Sequence, residues 1–112
     1  MKNYTKEELE RLNGRDGYIF PFFLHSILSK MEYDEEGRTM VAIRKYVESG
    51  QRPSLESHYV AGNFALDQFI DFYDKKSIAW LKKSDQNKIN GARSHENRKA
   101  NRDPNQHPIY PN

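Results

Sequence analysis

Asp67, Asp71 and Asp74 stand at i, i+4 and i+7, so on a helix their carboxylates share one face, as hard oxygen ligands for a divalent cation would. No fourth acid and no glycine loop accompanies them, and Asp71 precedes Lys75 by four residues, an orientation that stabilises a solvated helix face. A solvated face is the simpler reading, and no metal site is assigned. His25, His58, His95 and His107 show neither HExxH spacing nor a cysteine partner, which leaves zinc without support. His25 and Ser26 are adjacent, so on a helix they point about 100° apart and the hydroxyl has no base within reach. The glycines at 14, 17, 37, 50, 62 and 91 make no phosphate-cradling loop. No catalytic residue and no cofactor follow from these patterns, and the chain is expected to act without catalysis.

Two other sets point to binding. Tyr18, Phe20, Phe22 and Phe23 crowd one segment and Phe64, Phe69, Phe72, Tyr73 and Trp80 another, more rings than single helical faces can internalise. The excess, Tyr18, Phe22 and Phe72, is expected to form an exposed apolar patch where a host protein, a protein–nucleic acid complex or a second copy docks. The second set is Lys82, Lys83, Lys88, Arg93, Arg98, Lys99 and Arg102, interspersed with Asn and Gln in the manner of a phosphate-contacting or acidic-partner-contacting arm. Asp85, Glu96 and Asp103 dilute it, and no aromatic follows before Tyr110. Contact with DNA or RNA is therefore expected to be weak and non-specific, and a charged, soluble linker is the bland alternative.

A chain of 112 residues fits one domain with one core. It has no cysteine, which excludes disulfides, thiolate zinc sites and thiol catalysis and is compatible with a reducing compartment. No apolar run approaches membrane-spanning length, and MKNYTKEELERLN is too polar for a signal peptide, so a cytoplasmic protein without membrane contact is expected. The net charge of +2 is unevenly distributed. Residues 1 to 81 carry 11 basic and 13 acidic side chains, residues 82 to 112 carry 7 and 3.

The elements that position these groups read as helices. Thr5 and Glu8 stand at capping-box spacing before Leu9 and Leu12, and Asn13-Gly14 closes a short helix. Phe20, Phe23, Leu24, Ile27, Leu28 and Met31 then keep helical spacing, with Pro21 tolerable in the first turn, which predicts a helix from near Phe20. In YDEEGRTMVAIRKYVESGQRPSL, Asp34 is the expected cap and Met40, Ile43 and Val47, with Ala42 and Tyr46, the buried side. Gly50 and Pro53 end that helix. Ser54 is expected to start a short helical piece, and Gly62 to break or bend it. Leu66, Phe69, Ile70, Tyr73, Trp80 and Leu81 mark a last core helix that frays near Asn90-Gly91. The expectation is an all-α fold, a small bundle of three to four helices over residues 1–81, with a basic, partly disordered extension over residues 82–112.

The run EEGRTMVAIRKYVESGQRPSL, preceded by YIFPFFLHSIL and followed by FALDQFIDFYDKK and KINGARS, resembles a family of small uncharacterised phage and prophage helical proteins over Tyr18 to Ser94. It departs from that pattern at Gly91-Ala92-Arg93, where paired glycines are expected. The resemblance implies a mobile-element setting in the cytoplasm of a bacterial host and no particular reaction. Two functions fit it: a protein-binding inhibitor of a bacterial nucleic-acid-handling defence complex, similar to anti-CRISPR proteins, or a nucleic-acid-binding accessory of phage replication.

Overall fold

The computed structural model describes the backbone of residues 2–100 and the side chains of residues 2–92. Four helices follow in order, α1 (Lys6–Asn13), α2 (Phe22–Leu28), α3 (Tyr33–Ser49) and α4 (Val60–Ala100), with no strand among the described residues. The fold is a small all-α bundle. The chain divides within α4 into two units, residues 1–79 and residues 80–112. None of the described helices is long and apolar enough to cross a membrane.

In the first unit, each helix end has a chemical cause. Thr5 caps α1 by accepting from the Glu8 amide at 3.1 Å, while the Glu8 carboxylate accepts from the Thr5 amide at 3.0 Å. α2 begins at Phe22 rather than near Phe20, because Pro21 holds an extended backbone and disfavours a helical residue before it. α3 begins at Tyr33 with Glu32 at the N-cap position and no side-chain cap. Asp34, the expected cap, instead accepts from Arg38 at 3.2 Å and from the Tyr59 hydroxyl. Gly50 ends α3 in the left-handed region at φ 69°, where a side chain would be strained and would also press on Tyr4 and Leu9.

The core gathers Leu24 and Leu28 of α2, Ala42, Ile43 and Tyr46 of α3, and Ala65, Leu66, Phe69, Ile70 and Tyr73 of α4. Its line on α3 includes buried Thr39, whereas Met40 is exposed and Val47 half-buried. Thr39 can enter the interior because its hydroxyl donates to the Glu35 carbonyl at 2.7 Å and leaves no donor unsatisfied. Phe23, assigned to the core face by its spacing, is exposed instead, because the buried face is centred on Leu24 and Leu28 and Phe23 lies about 100° or more from both.

Two polar ties register α3 against α4. Glu35 accepts from the Gly62 amide at 2.7 Å, and Tyr46 donates to Asp74 at 2.6 Å. Eleven residues separate the ties on α3 and twelve on α4, about 17 and 18 Å of helix. The helices therefore run in the same direction, and residues 50–59 must return along α3 to connect them. That return is non-helical, contrary to the short helix expected from Ser54. Asn63 donates to the carbonyls of Glu56 and Tyr59 at 3.0 and 2.9 Å, and Arg52 reaches Asp67 and Asn63 at 2.9 Å each, which fixes the segment as an open strap. Gly62 does not break α4; it lies in its first turn, where an added Cβ would meet the Thr39 hydroxyl at 2.5 Å. The backbone of α4 also continues past Asn90-Gly91 to Ala100.

This packing separates two neighbouring substitutions. Phe69→Ala, at a fully buried ring, should cost about 3 to 5 kcal/mol of stability in urea unfolding. Phe23→Ala, at a half-open ring, should cost less than about 1.5 kcal/mol. Equal losses at the two positions would contradict the assignment.

Candidate functional site

Segment 18–23 is the most apolar exposed stretch of the first unit. Phe22 is 88% exposed, Ile19 60%, Phe23 44% and Tyr18 42%. Buried Pro21 and half-buried Phe20 anchor the segment, so its neighbours face outward. Tyr18 stands edge-on to Phe69 and Tyr73, at 6.2 and 5.7 Å between ring centroids, and Phe23 stands edge-on to Phe72 at 6.2 Å. Tyr18 and Phe23 thus each rest against a ring of α4 between residues 69 and 73, and with Ile19 and Phe22 they make segment 18–23 an exposed apolar stretch. Of the three residues expected there, Tyr18 and Phe22 are exposed and Phe72 is half-buried, with the Lys76 ammonium 5.6 Å from its ring. Ile19 and Phe23 belong to the same patch and were not expected. Partial burial, with the Tyr73 phenol beside it, raises the Tyr18 phenol above its ordinary range.

The basic set lies in the second unit. Lys82, Lys83 and Lys88 are exposed on α4. At about 100° per residue they spread round the helix rather than align, which suits diffuse attraction better than a fit to duplex phosphates. Lys83 and Lys88 border an open groove of about 570 Å³ with Trp80, Ser84 and Asn87. Trp80, read from its spacing as a core residue, is half-buried. Arg93, Arg98 and Lys99 lie on α4 beyond the described side chains, and Arg102 lies outside the described residues.

The three aspartates part company. Asp67 pairs with Arg52 at 2.9 Å, Asp71 with Lys75 at 3.1 Å, and Asp74 is buried. Asp74 accepts from the Tyr46 hydroxyl at 2.6 Å, the Tyr4 hydroxyl at 2.7 Å and the Lys2 backbone amide at 3.1 Å. Three donors from the protein converge on it, which offsets the cost of burying the carboxylate and ties the chain's start and α3 to α4. Desolvation first, and donation to Asp74 second, push both phenols well above the usual tyrosine value of 10.0. The solvated face expected for the three aspartates fails at Asp74, which is buried. Asp74 falls four residues after Ile70 and eight after Leu66, on the apolar stripe itself, but nothing local marks Tyr4 and Tyr46 as its donors.

A second concavity runs beside α3, an open groove of about 590 Å³ between that helix and the returning strap. Comparison with protein-family models, curated proteins and solved structures found no match.

The hub has a pH signature. A phenol raised in the folded state contributes its stability fully below the unfolded value of about 10, and that contribution is lost as pH rises through the folded value. The unfolding midpoint should fall steeply above about pH 10. Tyr46→Phe should cost about 1 to 3 kcal/mol at pH 7, by depriving a buried carboxylate of a donor, and should flatten the alkaline fall. A Tyr46→Phe protein with unchanged neutral stability and unchanged alkaline slope would refute the hub.

Proposed function

We propose that this chain is a non-catalytic binding protein of a phage or other mobile element, acting in the host cytoplasm by docking its first unit onto a protein. The observation that carries the reading is the ring patch of Tyr18, Phe22 and Phe72, widened by Ile19 and Phe23. A Phe exposed to 88% at the centre of an apolar segment loses hydration cost only when something covers it, and such rings are the residue types on which interface energy concentrates. The charge distribution supports a protein target. Residues 1–79 carry 11 basic and 13 acidic side chains, which repel bare nucleic acid, while residues 80–112 carry 7 and 3. A target that itself handles nucleic acid offers basic surface to the first unit and acidic surface to the second. With the mobile-element resemblance, this favours an inhibitor of a bacterial nucleic-acid-handling defence complex.

A second reading, a nucleic-acid-binding accessory of phage replication, draws on exposed Lys83 and Lys88 beside Trp80, with Lys82 on the same helix, since stacking and phosphate contact are both available there. The dispersal of the lysines round α4 makes it the weaker of the two.

The two readings separate on purified protein and nuclease-treated host lysate. Phe22→Ala combined with Phe72→Ala should weaken protein capture by about 2 kcal/mol or more, exceeding the effect of neutralising Lys82, Lys83 and Lys88. Light scattering of the purified protein reports whether the partner is a second copy. A strict monomer that recovers no protein after nuclease, yet binds oligonucleotides tightly, would transfer the assignment to the second reading.

A further inference from the structure

The groove beside α3 shares no residue with the ring patch, and its chemistry is different. Val41, half-open to solvent, and Leu55 supply apolar surface, Arg38 and Glu56 stand on opposite walls, and Lys45 lies one turn beyond Val41. The two cations are not equivalent. Arg38 is engaged, at 3.2 Å from Asp34 and 3.8 Å from Glu56 across the groove. The Tyr59 hydroxyl and then Arg38 hold the Asp34 carboxyl below its usual range, so this end of the groove is a closed set of charges. Lys45 makes no ion pair among the described residues, and its neighbour Arg44 is turned to Glu48 at 3.7 Å. The groove thus offers one uncommitted positive charge beside apolar surface.

The opposite wall is the extended strap, and among the described residues the amides of Ser54, Leu55 and Glu56 make no hydrogen bond. The Leu55 and Glu56 carbonyls accept from Asn63, so what the wall offers a peptide laid along it is its open amides as donors. The spacing then fixes the side chains. Val41 and Lys45 are four residues apart on a helix, about 6 Å. In an extended peptide, side chains on one face recur every second residue, at about 6.6 Å.

We infer that this groove binds an extended peptide segment carrying an apolar residue and, two residues away, a carboxylate. The apolar side chain rests on Val41 and Leu55, and the carboxylate meets the Lys45 ammonium. Charge complementarity selects the acidic residue, because every other charge of the groove already has its partner.

The test uses the full chain, labelled with nitrogen-15, and three acetylated heptapeptides: Thr-Thr-Leu-Thr-Glu-Thr-Thr, the same peptide with Lys in place of Glu, and the same with Ser in place of Leu. The Glu-Leu peptide should cause saturable amide shifts at Val41, Lys45 and Leu55. The other two should bind at least about tenfold more weakly, one because it sets an ammonium against Lys45 and the other because it lacks the side chain that rests on Val41 and Leu55. Lys45→Glu should lose the acidic peptide and gain the Lys peptide, whereas Phe22→Ala should leave binding unchanged, which keeps the result independent of the ring patch. Absence of saturable shifts, or equal affinity for the Glu and Lys peptides, would overturn the inference even if the Lys45→Glu protein fails to fold.

Discussion

Putting a carboxylate into an apolar interior costs several kcal/mol unless donors converge on it. At Asp74 three do, and they come from distant parts of the chain: the Lys2 amide, the Tyr4 hydroxyl and the Tyr46 hydroxyl. Much of the first unit follows. Bringing Tyr46 to Asp74 while Glu35 reaches the Gly62 amide sets the register of α3 on α4 and makes them run in the same direction. That direction obliges residues 50–59 to return along α3, which creates the strap and the groove beneath it. Drawing Tyr4 inward places its ring beside Gly50, where only a glycine can turn out of α3 without a clash.

The same economy bears on function. Asp67, Asp71 and Asp74, which share a face in principle, are committed to Arg52, Lys75 and two phenols, so the polar groups most suggestive of chemistry hold the structure together. Segment 18–23, by contrast, exposes apolar and aromatic surface, and Lys45 on α3 makes no ion pair among the described residues. We propose that such an arrangement recognises a surface. It supplies shape and hydrophobic area, and the opposite charge balance of the two parts of the chain adds steering to it.

Helix content was legible where local chemistry decides it. The Thr5/Glu8 capping box and the Gly50 exit stand where their residue types and spacing put them. The failures came where a distant partner or a neighbouring proline outweighed local preference. Asp34 is a good cap by type but is drawn off by Tyr59 and Arg38, Pro21 delays α2 by two residues, and the buried face of α2 settles on Leu24 and Leu28, leaving Phe23 at its edge. Tyr18 and Phe22 were identifiable as excess rings because ring count exceeds the face available. Ile19 and Phe23 were not, since one lies in a non-helical segment and the other at the edge of the stripe that Leu24 and Leu28 set. The Asp74 hub joins positions 70 and 28 residues apart, a pairing with no local signal.

The central claim, that the ring patch meets a protein, is tested most directly by placing a photo-crosslinking phenylalanine analogue at position 22 and irradiating host cells that express the protein. The account predicts one discrete protein adduct, unchanged by nuclease and absent when the analogue stands at exposed position 44 on α3. An adduct that disappears with nuclease, or none at position 22 while position 44 gives the same bands, would contradict it.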